Sequence, residues 1–180
     1  DLARILYARS VYWFDSGRIT VPEMAMDDLF LTTMATTQED FEGAFKLLHE
    51  DLVSKKLIRP NPSGMKLNIH AVMPQNSTLV VRYKEMVVAA ATLIQDSQLG
   101  FPGEKFYPGE IHELRQKYRY GVVELSNVVI DQAFKSHQLA FYHLFMKYSM
   151  NLCRKNLKSQ ALFVTINPVL QQYFETSCGF

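Results

Sequence analysis

Gly121-Val-Val-Glu-Leu-Ser-Asn-Val-Val-Ile-Asp131 is followed by Lys135-Ser-His-Gln-Leu-Ala140 and, further on, by Ala161-Leu-Phe-Val-Thr-Ile166. The first and last of these segments are rich in β-branched and large apolar residues, as strands covered on both faces are. Between them, Leu139, Ala140, His143, Leu144, Tyr148 and Leu152 recur at helical spacing and predict a helix over 136–156 with one inner face. A strand, a helix and a second strand of these lengths make a parallel crossover. One residue contradicts the apolar pattern. Glu124 stands inside a strand that should be buried, where a carboxylate is costly unless it is paired or used.

Outward from this unit the chain alternates in the same manner. Thr78 to Tyr83 and Met86 to Gln95 read as a hairpin with Lys84-Glu85 at its tip, and the second strand is apolar almost throughout. Upstream, Leu29 to Ala35 reads as a strand. Thr36 and Glu39 are spaced as a capping box that opens a helix with Phe41, Ala44, Phe45, Leu48 and Leu52 on one face, ending near Lys55 or Lys56. Asp96 to Gly109 is a long loop and Glu110 to Lys117 a short helix. Asn167-Pro168 predicts the start of a last helix through Tyr173. Leu2, Ile5, Leu6, Tyr12 and Trp13 predict an amphipathic N-terminal helix, with a linker to residue 27. The expected architecture is therefore α/β: residues 1–27 form a helix and linker, and residues 28–180 form a domain with a mixed sheet, antiparallel at the hairpin and parallel at the crossover.

Composition narrows the function. Nineteen basic and eighteen acidic residues leave a net charge of +1 with no basic stripe, which argues against nucleic acid as a partner. The longest apolar run, Met86 to Ala91, is far too short to span a bilayer. Two cysteines in 180 residues do not make a disulfide scaffold and fit a reducing, cytoplasmic setting. The five histidines show no metal-ligand spacing, and neither a Gly-x-Ser-x-Gly turn nor a phosphate-binding glycine fingerprint occurs.

Two places remain for chemistry. Glu124 is either ion-paired with Arg82, Arg115 or Arg119, or it is a general base or an anchor for a cationic amine, with burial raising its pKa towards neutrality. The helix start at Lys135, Ser136 and Gln138 is either an anion site or an ordinary solvated helix end.

The strand followed by Lys135-Ser-His-Gln-Leu-Ala140 and a helix resembles the donor-binding segment of the GCN5-related N-acetyltransferase (GNAT) fold, whose loop Arg/Gln-x-x-Gly-x-Gly/Ala cradles a pyrophosphate. The ending, with Asn167, Tyr173 and Gly179-Phe180, is similar to that fold too. A narrower resemblance is to the N-acyl amino acid synthases (FeeM-like proteins), relatives of the acyl-homoserine-lactone autoinducer synthases. It rests on Ala35-Thr-Thr-Gln-Glu-Asp40, Phe45-Lys-Leu-Leu-His-Glu-Asp51, Ile58-Arg-Pro-Asn-Pro-Ser-Gly64, Leu93-Ile-Gln-Asp-Ser-Gln-Leu-Gly-Phe-Pro102, Phe106-Tyr-Pro-Gly-Glu-Ile-His-Glu-Leu-Arg115 and Val123-Glu-Leu-Ser126. The loop departs from the pattern, with Lys135 for Arg and Gln138 for Gly; Ala140 fits. Asn127 stands where that family has Arg. The chain stops where the fold adds another strand, which implies an open sheet edge.

The resemblance implies a GNAT fold: a mixed, twisted sheet, helices on both faces, and a parallel strand pair splayed between the strand of Glu124 and that of residues 161–166. It implies transfer of an acyl group, long-chain by family, from an acyl carrier protein's phosphopantetheine or from acyl-coenzyme A to the amine of an amino acid or similar acceptor. No permanent cofactor is implied. Glu124, Ser126 and Tyr173 would be catalytic. The donor would lie along Asn127, Val128, Val129 and Ile130, with its phosphate end at Lys135, Ser136, His137, Gln138, Leu139 and Ala140. Asp96 and Phe101, from the long loop, would contact the acceptor. The competing readings are an acetyl-coenzyme A-dependent N-acetyltransferase and a catalytically weak acyl-binding module of a larger protein.

Overall fold

A computed structural model describes residues 30–119, 121–157, 159–166, 170, 172 and 174, and the backbone of residues 10–15. The described strands are β1 (Ser10–Asp15), β2 (Phe30–Met34), β3 (Ser77–Tyr83), β4 (Met86–Gln95), β5 (Val122–Ile130) and β6 (Ala161–Ile166). The α-helices are α1 (Gln38–Ser54), α2 (Pro108–Tyr118) and α3 (Gln138–Leu152). The strands form one six-stranded sheet in the order β1-β6-β5-β4-β3-β2. It is mixed: β5 and β6 run parallel, whereas β3 runs antiparallel to β2 and to β4, and β1 antiparallel to β6. The chain divides into two compact units.

The first unit holds β1, the start of β5, β6 and α2. β5 pairs with β6 from Val122↔Ala161 to Leu125↔Val164, and the register ends there while β5 runs on to Ile130. α2 begins at Pro108, whose missing N–H costs nothing in a first turn. It buries Ile111, Leu114 and Tyr118 against Ile94, Val122 and Phe163. The N-terminal helix expected over residues 1–15 is corrected here. Residues 10–15 are a strand, paired from Ser10↔Ile166 to Asp15↔Ala161, and residues 1–9 lie outside the described residues. Val11, Tyr12, Trp13 and Phe14 are strand-favouring residue types, and the unpaired groups of β6 offer a ladder that outweighs weak helical spacing. The β6 edge facing away from β5 is thereby filled. The last helix expected from Asn167 lies mostly outside the described residues; Phe174, within it, is buried.

The second unit holds β2, β3, most of β4, the end of β5 and α1. The β3–β4 hairpin turns at Lys84, which takes a left-handed φ of 54°. α1 packs Ala44, Leu47 and Leu48 on Val80, Ala90 and Val129. Its capping box is one residue later than expected. Thr37, not Thr36, is the N-cap: its Oγ1 accepts from Asp40 N at 3.2 Å, and Asp40 Oδ2 accepts from Thr37 N at 3.1 Å. Asp40 takes the place assigned to Glu39 because Arg82 on β3 draws it inward, with Nη2 and Nε donating to Asp40 Oδ1 at 2.5 and 3.0 Å.

The helix expected over 136–156 is three segments. A 3₁₀ turn spans Gln132–His137, α3 follows, and a π-helical turn spans Cys153–Leu157. The early start has a local cause: the Asp131 side chain accepts from Ala133 N at 2.8 Å and nucleates the turn. No helix among the described residues is long and apolar enough to cross a membrane.

Candidate active site

Glu124 is 2% exposed on β5. Its Oε2 accepts from Gly103 N at 3.1 Å, and the Ser126 side chain hydrogen-bonds to it from the same face of the strand, as strand alternation requires. The ion pair left open by the sequence is not made with the arginines that have found partners. Arg82 binds Asp40, and Arg115 binds Asp96 and Glu104. Burial pushes the Glu124 carboxyl up to about 7; the Gly103 N–H and Ser126 oppose this, and the negative charge of Glu104 adds to it. A carboxyl poised there exchanges a proton at neutral pH.

Beyond Ser126 the strand changes character. Asn127 takes a left-handed φ of 51°, a conformation that Asn tolerates better than most side chains. The β5 residues from Val122 to Leu125 and the last two, Val129 and Ile130, are buried, whereas Ser126, Asn127 and Val128 are only half-buried. Of the segment expected to hold the donor, Asn127 to Ile130, only Asn127 and Val128 are partly open. Val129 and Ile130 belong to the core.

The long loop after β4 is built around one guanidinium. Arg115, on α2, donates from Nε to Asp96 Oδ2 and from Nη2 to Asp96 Oδ1, each at 2.8 Å. It also donates from Nη1 to Glu104 Oε1, and from Nη2 to Glu104 Oε2 at 2.8 Å. Glu104 sits in a 3₁₀ turn, Pro102–Lys105, and its Oε2 accepts from Phe101 N at 3.2 Å. Asp96, Ser97, Gln98, Gly100, Glu104 and Arg115 line a cavity of about 550 Å³. Asp96, expected to contact the acceptor, is among the lining residues, with both carboxylate oxygens already engaged by Arg115. Phe101 is buried instead. It meets Phe163 edge-on at 5.1 Å and carries the Arg115 guanidinium 5.2 Å above its ring. The sequence pointed to Arg115 only as a partner for Glu124 and missed Gly103 and Glu104. The signal was present in Phe101-Pro-Gly-Glu104, where Pro-Gly marks a tight turn.

At the expected phosphate end, Lys135, Ser136, His137 and Leu139 are exposed, and Gln138 and Ala140 half-buried. The amides there are partly spent: Ala133 N on Asp131 Oδ1, Phe134 N on Asp131 O, and Gln138 N on Lys135 O. His137 stacks on Phe141 at 6.1 Å and lies 5.4 Å from Phe30, while Ser136 Oγ is 3.1 Å from its Nδ1. Tyr173 lies outside the described residues.

Solved structures share this architecture. FeeM, an N-acyl amino acid synthase from uncultured soil microbes, superposes with a TM-score of 0.60 at 14% identity over 81% of this chain and 75% of that one. Escherichia coli ElaA gives 0.55 at 9% identity over 82% and 83%. A GCN5-related N-acetyltransferase from Kribbella flavida gives 0.53 at 12% identity over 90% of this chain and 49% of that one. At such identities the likeness establishes the fold, which is that of the GNAT acyltransferases. No curated protein matches the sequence. Residues 43–180 match the family described as N-acyl amino acid synthase FeeM, and the buried carboxyl on β5 lies inside that span. The chain belongs to the N-acyl amino acid synthase FeeM family and is an N-acyltransferase.

Proposed function

We propose that this protein moves a long acyl chain from the phosphopantetheine of an acyl carrier protein to the amine of an amino acid or similar acceptor, with Glu124 as general base. The observation that carries the reading is the carboxyl of Glu124: 2% exposed, paired with neither Arg82 nor Arg115, and poised to ionise at about 7. An alkylamine arrives as an ammonium ion, its pKa being ~10. Glu124 accepts one proton, and the neutral amine attacks the thioester carbonyl. A C–N bond forms, the C–S bond breaks, and the leaving thiolate takes up the second amine proton, through Tyr173 in this proposal. An N–H near Val128 would hold the oxyanion.

The preference for a carrier protein over coenzyme A rests on the segment 131–140. Without glycine at Gln138, close backbone approach to a pyrophosphate is hindered, and Asp131 already occupies the Ala133 N–H with a negative group of its own. A carrier arm brings a single phosphate, for which Lys135 suffices as a point charge. The family resemblance is what supports a long acyl chain and an amino acid acceptor. Mass spectrometry of lipids from cells overexpressing the protein tests the reaction: a new N-acylated amine is expected, and acetylated amines alone would replace this reading with acetyl transfer. Titration with acyl carrier protein and with acetyl-coenzyme A tests the donor. Tight binding of the latter without the former would overturn the carrier preference.

A further inference from the structure

The loop between β4 and α2 reaches Glu124 at Gly103. The Gly103 N–H reaches Glu124 Oε2 in a buried setting. A Cβ on Gly103 would lie 3.1 Å from Thr165 Oγ1 and 3.3 Å from both Glu124 Oε1 and Phe163 Cε2. A residue without a side chain is needed to bring an amide so near. The turn carrying Gly103 is itself held. Glu104 closes it onto Phe101 N, and Arg115 ties Glu104 to α2 and, through Asp96, to the end of β4. Such two-armed guanidinium contacts fix geometry as well as charge.

We propose that Gly103 and Arg115 are positioning residues for Glu124: Arg115 clamps the turn Pro102–Lys105, and the turn orients the carboxylate through the Gly103 N–H. The proposal rests on the assignment of Glu124 as the base. It gives Arg115 a role different from holding an acceptor's carboxylate, because its Nε, Nη1 and Nη2 already donate within the clamp.

The groups facing Glu124 set the expected signs. From the turn come the Gly103 N–H, which favours the ionised form, and the Glu104 charge, which opposes it; from β5 comes Ser126, which favours it. From β6 come Thr165 Oγ1 and the Phe163 ring, both uncharged. Arg115 neutralises Glu104. Loosening the clamp therefore exposes Glu124 to Glu104 and weakens the Gly103 hydrogen bond, and both changes make Glu124 hold its proton to higher pH.

The experiment is an NMR pH titration of the full chain labelled at the glutamate carboxyl carbons, with the Glu124 signal identified by its loss in Glu124→Gln. Arg115→Gln is expected to raise the Glu124 midpoint by about one unit, and Arg115→Lys, which keeps the charge but not the fork, by about half of that. A raised midpoint in folded Arg115→Lys supports the proposal even where Arg115→Gln does not fold. An unmoved or lowered midpoint in Arg115→Lys overturns it. The assignment of the base is judged separately, by whether Glu124→Gln alone retains acyl transfer.

Discussion

Asp40 and Glu124, one in each unit, are the most deeply buried carboxylates among the described residues, and their surroundings treat them in opposite ways. Asp40 is 3% exposed and Glu124 2%. Asp40 is surrounded by donors: Thr36 N and Thr37 N at 3.0 and 3.1 Å, Thr37 Oγ1 at 3.1 Å, and two nitrogens of Arg82. Burial alone would raise its pKa, but these donors together outweigh it and hold the carboxyl below the usual aspartate value. Glu124 receives the Gly103 N–H and Ser126 and has Glu104 nearby, so burial wins and the carboxyl rises to about 7. Burial does not decide whether a carboxylate is structural or reactive; the number and charge of its donors do. Asp40 is part of a helix cap, and Glu124 is a group that can change protonation state at neutral pH.

The sharpest way to break this contrast is Glu124→Gln. The shape is kept and the base removed, so turnover is expected to fall by ~10²–10⁴-fold with donor binding unchanged. Stability should move the other way. A carboxyl whose pKa is raised on folding stabilises the fold fully below its unfolded value, 4.5, and that contribution is lost as pH rises through about 7. Gln carries no such penalty, so the variant should become the more stable protein above neutral pH, by up to ~3 kcal/mol. Denaturant melts at several pH values measure this. A variant that keeps normal turnover, or is less stable at high pH, would make Glu124 a second structural carboxylate.

Asp40→Ala should do the reverse: a loss of about 3 kcal/mol in urea unfolding, because a half-buried Arg82 is left unpaired and a helix loses its cap, with no shift in the pH at which Glu124 titrates. The parent's dependence on Asp40 also has a sign. Its folded pKa is depressed, so the contribution is present above the unfolded value of 3.8 and lost as pH falls through the lower folded value. Acid unfolding of Asp40→Asn should lack that component.

The difference between the two carboxylates was only half legible in the sequence. Glu124 stood out because an acidic residue in Val-Val-Glu-Leu contradicts its neighbours, and strand alternation with Ser126 placed both on one face. The strands and the hairpin followed from β-branched runs and turn residues, which act locally. Asp40 was hidden because a capping box can be read at Thr36/Glu39 or Thr37/Asp40, and the choice is made by Arg82, 42 residues away in sequence. The clamp of Asp96, Glu104 and Arg115 was hidden for the same reason: its charges lie on three elements whose proximity only the fold creates. Residues 10–15 were misread because the β6 edge, distant in sequence, selects a strand there. The left-handed backbone at Asn127 carried a local sign, an Asn within a β-branched run, but not one strong enough to predict that conformation inside the strand.

The smallest expected effect is the finest probe of donor count. Ser126 is the side chain on the base's own strand that favours its ionised form, and it is half-buried. Ser126→Ala removes that hydrogen bond and brings Glu124 one step further from the Asp40 condition. Its carboxyl should then hold the proton to higher pH by about half a unit. Because the base must be ionised to act, the acid limb of kcat should move up by the same amount. Turnover near pH 6 should fall by about threefold, and the plateau above pH 8 should be unchanged. A loss of the same size at every pH would show that Ser126 holds the acceptor instead of tuning the base. A limb that moved to lower pH would mean that the hydroxyl donates elsewhere in the working enzyme, and that the Gly103 N–H alone offsets the burial of Glu124.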